Sequence, residues 1–184
     1  MEAFVKIPTG AAGLDTLLGG GLEPRMVTQF VGEAGSGKST FCLLAAVAVL
    51  RNGEGVVYVD TEGFSIERFC QIAGDKTEEY AKSLYVFEPM TFAEQGQMIA
   101  ESEKLIKTQR ASLIIVDSVT ALYRVEQKDT SDALSMLSQQ MMVLLGIAKR
   151  YEIPVIVTNQ VFMDVERHRL SGLGGTSLSH ISKA

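Results

Sequence analysis

The octapeptide Gly32-Glu33-Ala34-Gly35-Ser36-Gly37-Lys38-Ser39 satisfies the pattern GxxxxGK[ST] and is followed by Thr40. Before it stands a β-branched apolar run, Met26 to Val31; after it Phe41, Leu44, Ala45 and Ala48 recur with the spacing of one helix face. A glycine-rich turn between a strand and a helix folds as a cradle for phosphate oxygens: its backbone N–H groups point inward and the helix adds its positive end. Lys38 is placed to reach the β/γ-phosphates of a nucleoside triphosphate and Ser39 to ligate Mg²⁺. Gly32 to Thr40 is therefore the expected ATP-binding segment, and it commits the chain to an architecture with a strand behind the loop and a helix ahead of it.

The rest of the chain repeats that alternation. Gly55 to Thr61, Leu84 to Glu88, Leu113 to Asp117 and Val155 to Thr158 read as short buried strands. Thr91 to Gln109, with Thr91 as N-cap, and the periodic set Leu134, Leu137, Met141, Leu144, Leu145 and Ala148 read as covering helices. This predicts an α/β fold, a mostly parallel sheet with helices on both faces. The length of 184 residues suits one domain over 1–184. Most of the 8 methionines sit at helical spacing and are assigned to the core. After Gln160 the period is lost and Arg167, His168, Arg169 and several glycines suggest a long loop.

Hydrophobic residues at 46% and charged residues at 21% exclude a disordered chain, a fibre or a small disulfide scaffold. No apolar run approaches the roughly 18 residues of a membrane span, and MEAFVKIPTG lacks a signal-peptide core, so a cytoplasmic location away from membranes is expected. Cys42 and Cys70 read as reduced thiols, and His168 and His180 lack metal-ligand spacing. A net charge of -5 would repel nucleic acid if evenly spread, so any DNA contact must come from a local basic loop.

Two other strand ends complete a candidate site. Leu113 to Val116 deliver Asp117 to a strand carboxyl end, the side where ligands of open α/β sheets bind, as a partner for Mg²⁺. A turn-capping aspartate is the alternative. Asp60-Thr61-Glu62-Gly63 closes the second strand, and Glu62 is the candidate for activating water against the γ-phosphate, the alternative being a solvated loop carboxylate.

With these motifs in place, the chain resembles the RecA/RadA recombinase family over essentially its whole length, and within it the archaeal RadB paralogues. Thr9-Gly10, Gly13-Leu14-Asp15 and Leu18 to Gly21 resemble the family's lead-in to the phosphate loop. Asp60 to Gly63 resembles the segment with its catalytic glutamate, Asp117-Ser118 the end of its Mg²⁺ strand and Thr158-Asn159-Gln160 its sensor strand. Val86 to Pro89 with Glu94-Gln95 points to the paralogue, and Gly174-Gly175, Leu178 and His180 resemble the close of its second DNA-binding loop. The resemblance implies that Gln160 senses the γ-phosphate and that Arg68 packs on adenine, unless it is only a solvated helix residue. It further implies that Arg124 and Lys128 fall in a first DNA loop and Arg167, His168 and Arg169 in a second, flexible one spanning 161–180.

Several departures accompany the resemblance. No helical DNA-binding domain precedes the ATPase core, and the family's polymerisation pattern, a phenylalanine followed three residues later by alanine, is absent where Phe4 is followed by Val5, Lys6 and Ile7. The family's remaining sheet strands would follow Ala184. The resemblance thus implies a slow Mg²⁺- and DNA-dependent ATPase that binds DNA, single-stranded by preference, and assists a filament-forming recombinase in homologous recombination and repair, with homo-oligomers an open option. The alternative is a RecA-fold regulatory ATPase of the circadian-clock type, working through protein partners.

Overall fold

The computed structural model describes residues 5–126, 132–164, 169–172 and Ser182. In chain order the elements are α1 (Ala12–Leu17), β1 (Val27–Gly32), α2 (Lys38–Arg51), β2 (Val56–Asp60), α3 (Ile66–Ala73), a 3-10 turn (Gly74–Lys76), α4 (Thr77–Ala81) and β3 (Leu84–Phe87). They continue with α5 (Phe92–Lys107), β4 (Leu113–Asp117), α6 (Ala121–Glu126), α7 (Ala133–Tyr151), β5 (Val155–Asp164) and β6 (Arg169–Gly172).

Five strands lie in the order β1-β5-β4-β2-β3, all neighbours parallel. After β1 the chain therefore crosses two strand positions, later filled by β4 and β5, before laying down β2. From β3 the chain turns back to fill those positions, and that reversal of direction opens a crevice at the carboxyl ends, where such sheets bind ligands.

Side-chain alternation along the strands sorts the core into two halves. Val57, Val59, Ile114, Val116, Val155 and Val157 pack with Ile99, Ile106, Leu137, Met141 and Leu144 from α5 and α7. Val56, Tyr58, Leu113, Ile115 and Ile156 pack on the opposite face with Cys42, Leu43, Ala46 and Leu50 of α2 and Phe69 of α3. Burying one such aliphatic side chain contributes about 1.5–3 kcal/mol, so the two clusters favour a sheet covered on both sides. The period of two then carries Asp60, Asp117, Thr158 and Gln160 onto the α2 face.

The predicted strands stand within a residue or two of their observed ends, with one exception. The segment after Gln160, expected as loop, continues β5 through Asp164 and returns as β6, paired antiparallel from Val161↔Gly172 to Asp164↔Arg169. Val161, Phe162 and Met163 extend the apolar run of the strand, and backbone pairing with a following segment completes it. Among the described residues no helix is long and apolar enough to cross a membrane.

Candidate nucleotide-binding site

The phosphate loop runs from the end of β1 into the first turn of α2, as its sequence requires. Gly35 and Gly37 take φ values of 75° and 91°, left-handed conformations that glycine adopts without steric cost. Gly37 is also the N-cap of α2 and offers no side-chain acceptor to the first turn. The first N–H groups of this 14-residue helix thus remain available to an anion. The Lys38 ammonium is folded back into the loop, donating to the carbonyls of Gly32 at 3.1 Å and Glu33 at 2.8 Å. Glu33, Ala34, Gly35, Ser36 and Ser39 are exposed around it, with Thr40 half-buried behind.

Asp117 sits at the end of β4, 4% exposed. Its two carboxylate oxygens accept from the Tyr58 hydroxyl at 2.8 Å and the Thr158 hydroxyl at 2.5 Å. Burial holds the Tyr58 phenol well above its ordinary pKa, so it stays a donor. The Asp117–Ser118 peptide bond is cis. Thr61 ties the ends of β2 and β4 together: its N–H donates to the Asp117 carbonyl at 2.9 Å, its hydroxyl donates to the Ser118 carbonyl at 3.0 Å and accepts from the Ser118 N–H at 2.8 Å. The next link, from the Thr120 hydroxyl to Asn159 Oδ1 at 2.9 Å, reaches β5.

Asp60, opposite Asp117 in register, accepts from the Gly63 N–H at 2.7 Å and so shapes the turn that carries Glu62. Burial lifts the Asp60 carboxyl to about 6, with Asp117 and Glu88 pushing the same way and the N–H groups of Gly63 and Glu62 opposing. Glu62 is raised above the ordinary carboxylate range by desolvation and then by Asp117, against the attraction of Lys38 and Arg124. An exposed carboxylate with a raised pKa in a crevice suits proton exchange with water.

Gln160 stands beside Gly32 in the β1–β5 register, next to the mouth of the phosphate loop. Its Nε2 donates to Glu62 Oε1, and its Oε1 accepts from Arg124 Nη1 at 3.1 Å. Lys38, Ser39, Glu62, Asp117 and Gln160, predicted from separate stretches, therefore meet at one end of the sheet. Arg124, expected in a DNA loop, is an exposed residue of α6 that joins this group. Arg68 lies apart on α3, where its guanidinium donates to Gln71 Oε1 at 2.9 Å. Lys128, Arg167 and His168 lie outside the described residues, and Arg169 enters only through its backbone, as the first residue of β6. Sequence reasoning missed Tyr58; its one signal was a hydroxyl inside the otherwise apolar run of β2.

Mg²⁺ and ATP fit the groups present: an uncapped helix start, a lysine ammonium held over the loop, a serine hydroxyl at Ser39 and a buried carboxylate at Asp117. Among the described residues no cluster of three or more His, Cys, Asp and Glu side chains offers a metal site of another kind.

Comparison with known proteins matches a family model described as Rad51 over residues 1–183. The chain is 57% identical over 181 residues to the DNA repair and recombination protein RadB of Methanoculleus marisnigri, covering 97% of this chain and 81% of that protein. The protein of the same name from Archaeoglobus fulgidus is 43% identical, over 96% of this chain and 80% of its own length. That from Methanothermobacter thermautotrophicus is 40% identical, over 97% and 78%.

Proposed function

The chain belongs to the Rad51 family, and on that premise we propose that it is a Mg²⁺-dependent, slowly hydrolysing ATPase that contacts DNA and assists homologous recombination and repair. The observation that carries the proposal is the meeting of Glu62, Asp117 and Gln160, at the ends of or along β2, β4 and β5, beside the phosphate loop that leaves β1. The names of the relatives add repair and recombination as the setting.

In this reading the backbone of Gly32 to Thr40 binds the phosphates and Lys38 swings from the loop carbonyls to the β/γ-phosphates, exchanging two neutral acceptors for charged ones. Ser39 and Asp117 would hold Mg²⁺, whose charge would offset that developing on the phosphates. Tyr58 and Thr158 fix the direction of the Asp117 carboxylate. Glu62 takes a hydrogen bond from the attacking water and orients it, and Gln160 contacts the γ-phosphate while belonging to the strand that leads into the β5–β6 hairpin. Arg68 on adenine, and Arg124, Lys128, Arg167, His168 and Arg169 on single-stranded DNA, complete the proposal, with a filament-forming recombinase as partner. The Rad51 match over 1–183 favours this reading over a regulatory ATPase that works through protein partners alone.

Calorimetry and single-turnover kinetics test it together. Lys38→Ala should lose nucleotide affinity, because a point charge on the phosphates contributes to ground-state binding. Glu62→Gln should keep affinity and lose turnover by roughly 100- to 10,000-fold, the range of general acid–base effects. Unchanged affinity in a folded Lys38→Ala protein would remove the phosphate-loop assignment; a small loss in Glu62→Gln would move the water-activating role to another residue.

A further inference from the structure

The sheet has a second open end. Where the chain enters β2, β3 and β4, on the far side from the phosphate loop, a cleft of about 430 Å³ lies between the segments leading into those strands and the end of α5. Clefts of roughly 300–1,000 Å³ hold small molecules. A strand rises about 3.3 Å per residue, so the length of β2 or β4 sets this cleft roughly 16 Å from the nucleotide site.

The lining is of two kinds. Ile106, Ala111 and Ile153 are buried and make one part of it apolar. Tyr151 borders them, and its hydroxyl donates to Glu103 at 3.0 Å, which holds the ring in place. The other part is charged. Lys107 and Arg110 are exposed there, and among the described residues neither forms an ion pair. Lys107 stands in the last turn of α5, where the helix dipole favours a cation. Arg110 lies beyond the helix and has no such reason, yet its backbone is pinned. Its N–H donates to the Leu105 carbonyl at 2.9 Å, and its own carbonyl packs so closely on Gly55 that a Cβ there would stand 1.9 Å from it.

Ser112 lines the same cleft, and its hydroxyl is buried with no hydrogen-bond partner among the described residues. An orphaned hydroxyl costs stability, and folded chains keep few of them. Ser112 as a whole is half-buried, so a turn between staggered χ1 rotamers can present the hydroxyl to a ligand without breaking a bond. Glu54 supplies a carboxylate to the lining.

We propose that this cleft binds a free nucleoside monophosphate, separately from ATP at the phosphate loop. A phosphomonoester carries nearly two negative charges and three strong acceptor oxygens. Arg110 meets them as a fork, Lys107 as a point charge and Ser112 as a further donor. Glu54 accepts from the sugar hydroxyls, a role carboxylates play toward ribose elsewhere, and the apolar side chains beside Tyr151 take the base. The orphaned hydroxyl, the unpaired guanidinium and the carboxylate thereby find partners in one ligand.

The test is calorimetry with adenosine 5′-monophosphate at physiological salt, on the wild type and on Lys38→Ala, which leaves the phosphate loop without its ammonium. Lys38→Ala should still bind, with a Kd of about 1 mM or tighter. Adding Lys107→Ala and Arg110→Ala together in that background should weaken binding at least about tenfold, the least that losing one charge-assisted hydrogen bond removes. Adding Ser112→Ala instead should weaken binding several-fold and leave the urea midpoint no lower, because the hydroxyl has no bond to lose in the free protein. Adenosine and inorganic phosphate, each offering half of the contacts, should bind more weakly than the whole nucleotide. NMR locates the site: in Lys38→Ala the nucleotide should shift the amide signals of Ser83 and Ser112 and leave that of Gly35 in place. The proposal is overturned by a folded Lys38→Ala protein that does not bind, by shifts confined to the phosphate loop, or by wild-type affinity after loss of both cations. Inorganic phosphate binding as tightly as the nucleotide would overturn the nucleoside assignment. A Ser112→Ala protein that keeps its affinity, or that unfolds more easily, would overturn the role given to the hydroxyl.

Discussion

Tyr58 brings a hydroxyl in among the buried valines Val56, Val57 and Val59 of β2, and Asp117 is the reason it is tolerated there. The pair is 59 residues apart in sequence and 2.8 Å apart in space. Tyr58→Phe would leave the buried carboxylate one donor short, an omission that costs about 1–3 kcal/mol. A lower urea midpoint with an unchanged denaturant slope is the expected result, together with a weaker response of nucleotide binding to Mg²⁺. Asp60 makes a complementary prediction. Its pKa in the folded chain, about 6, lies above its ordinary value of 3.8, so folding takes up a proton in that interval. The ionised form costs stability above about pH 6, and the cost fades as pH falls toward about 4. Asp60→Asn keeps an acceptor for the Gly63 N–H and removes the charge. Its stability relative to wild type should therefore climb between those limits and level off above them, as read by denaturation at a series of pH values. The phosphate loop was legible in sequence because all its chemistry is local. The partners of Asp117 and Gln160 were not, because they depend on which strands become neighbours, and no local spacing encodes that.

Helix α5 shows how far element boundaries can be read from one capping residue. Thr91 was predicted as its N-cap, and the Thr91 hydroxyl accepts from the Glu94 N–H at 3.1 Å while the Glu94 carboxylate accepts from the Met90 N–H at 2.8 Å. Thr91→Ala removes one of these bonds and should cost about 0.5–2 kcal/mol, measurable as a shift in denaturation midpoint. The buried strands were legible for a similar reason: runs such as LIIVD are apolar on both faces, as a covered parallel sheet demands. Helices α1, α4 and α6, of 6, 5 and 6 residues, are too short for a period to declare itself. The β5–β6 hairpin escaped because the basic residues around Arg169 interrupt the alternation that would have marked it, and its pairing rests on backbone hydrogen bonds that any residue but proline can make.

For the whole molecule, the net charge of -5 sets the terms of any meeting with DNA. Attraction to phosphates must then be concentrated in few side chains. Replacing Arg167 and Arg169 together by alanine should weaken single-strand binding and flatten its logarithmic salt dependence by roughly one to one and a half units, at about 0.7 per phosphate contact. Nucleotide affinity should stay as it was. Fluorescence anisotropy titrations at several salt concentrations check both. If the double variant binds as the wild type does, the basic segment is not the contact and the repair role loses its physical support. Fold class was readable from the order of elements alone, but the arrangement β1-β5-β4-β2-β3 was not. That arrangement puts a single unbroken strand, Val155–Asp164, through two neighbourhoods: its first half is gripped between β1 and β4, its last four residues belong to the hairpin. Gln160 lies at the boundary. A strand advances about 3.3 Å per residue, so the hairpin end at Asp164 stands roughly 13 Å beyond it. The strand thus projects past the carboxyl rim of the sheet, and a tilt of about 10° at Gln160 would sweep the far end through about 2 Å. That is the width of an atom, enough to make or break a contact with a phosphate.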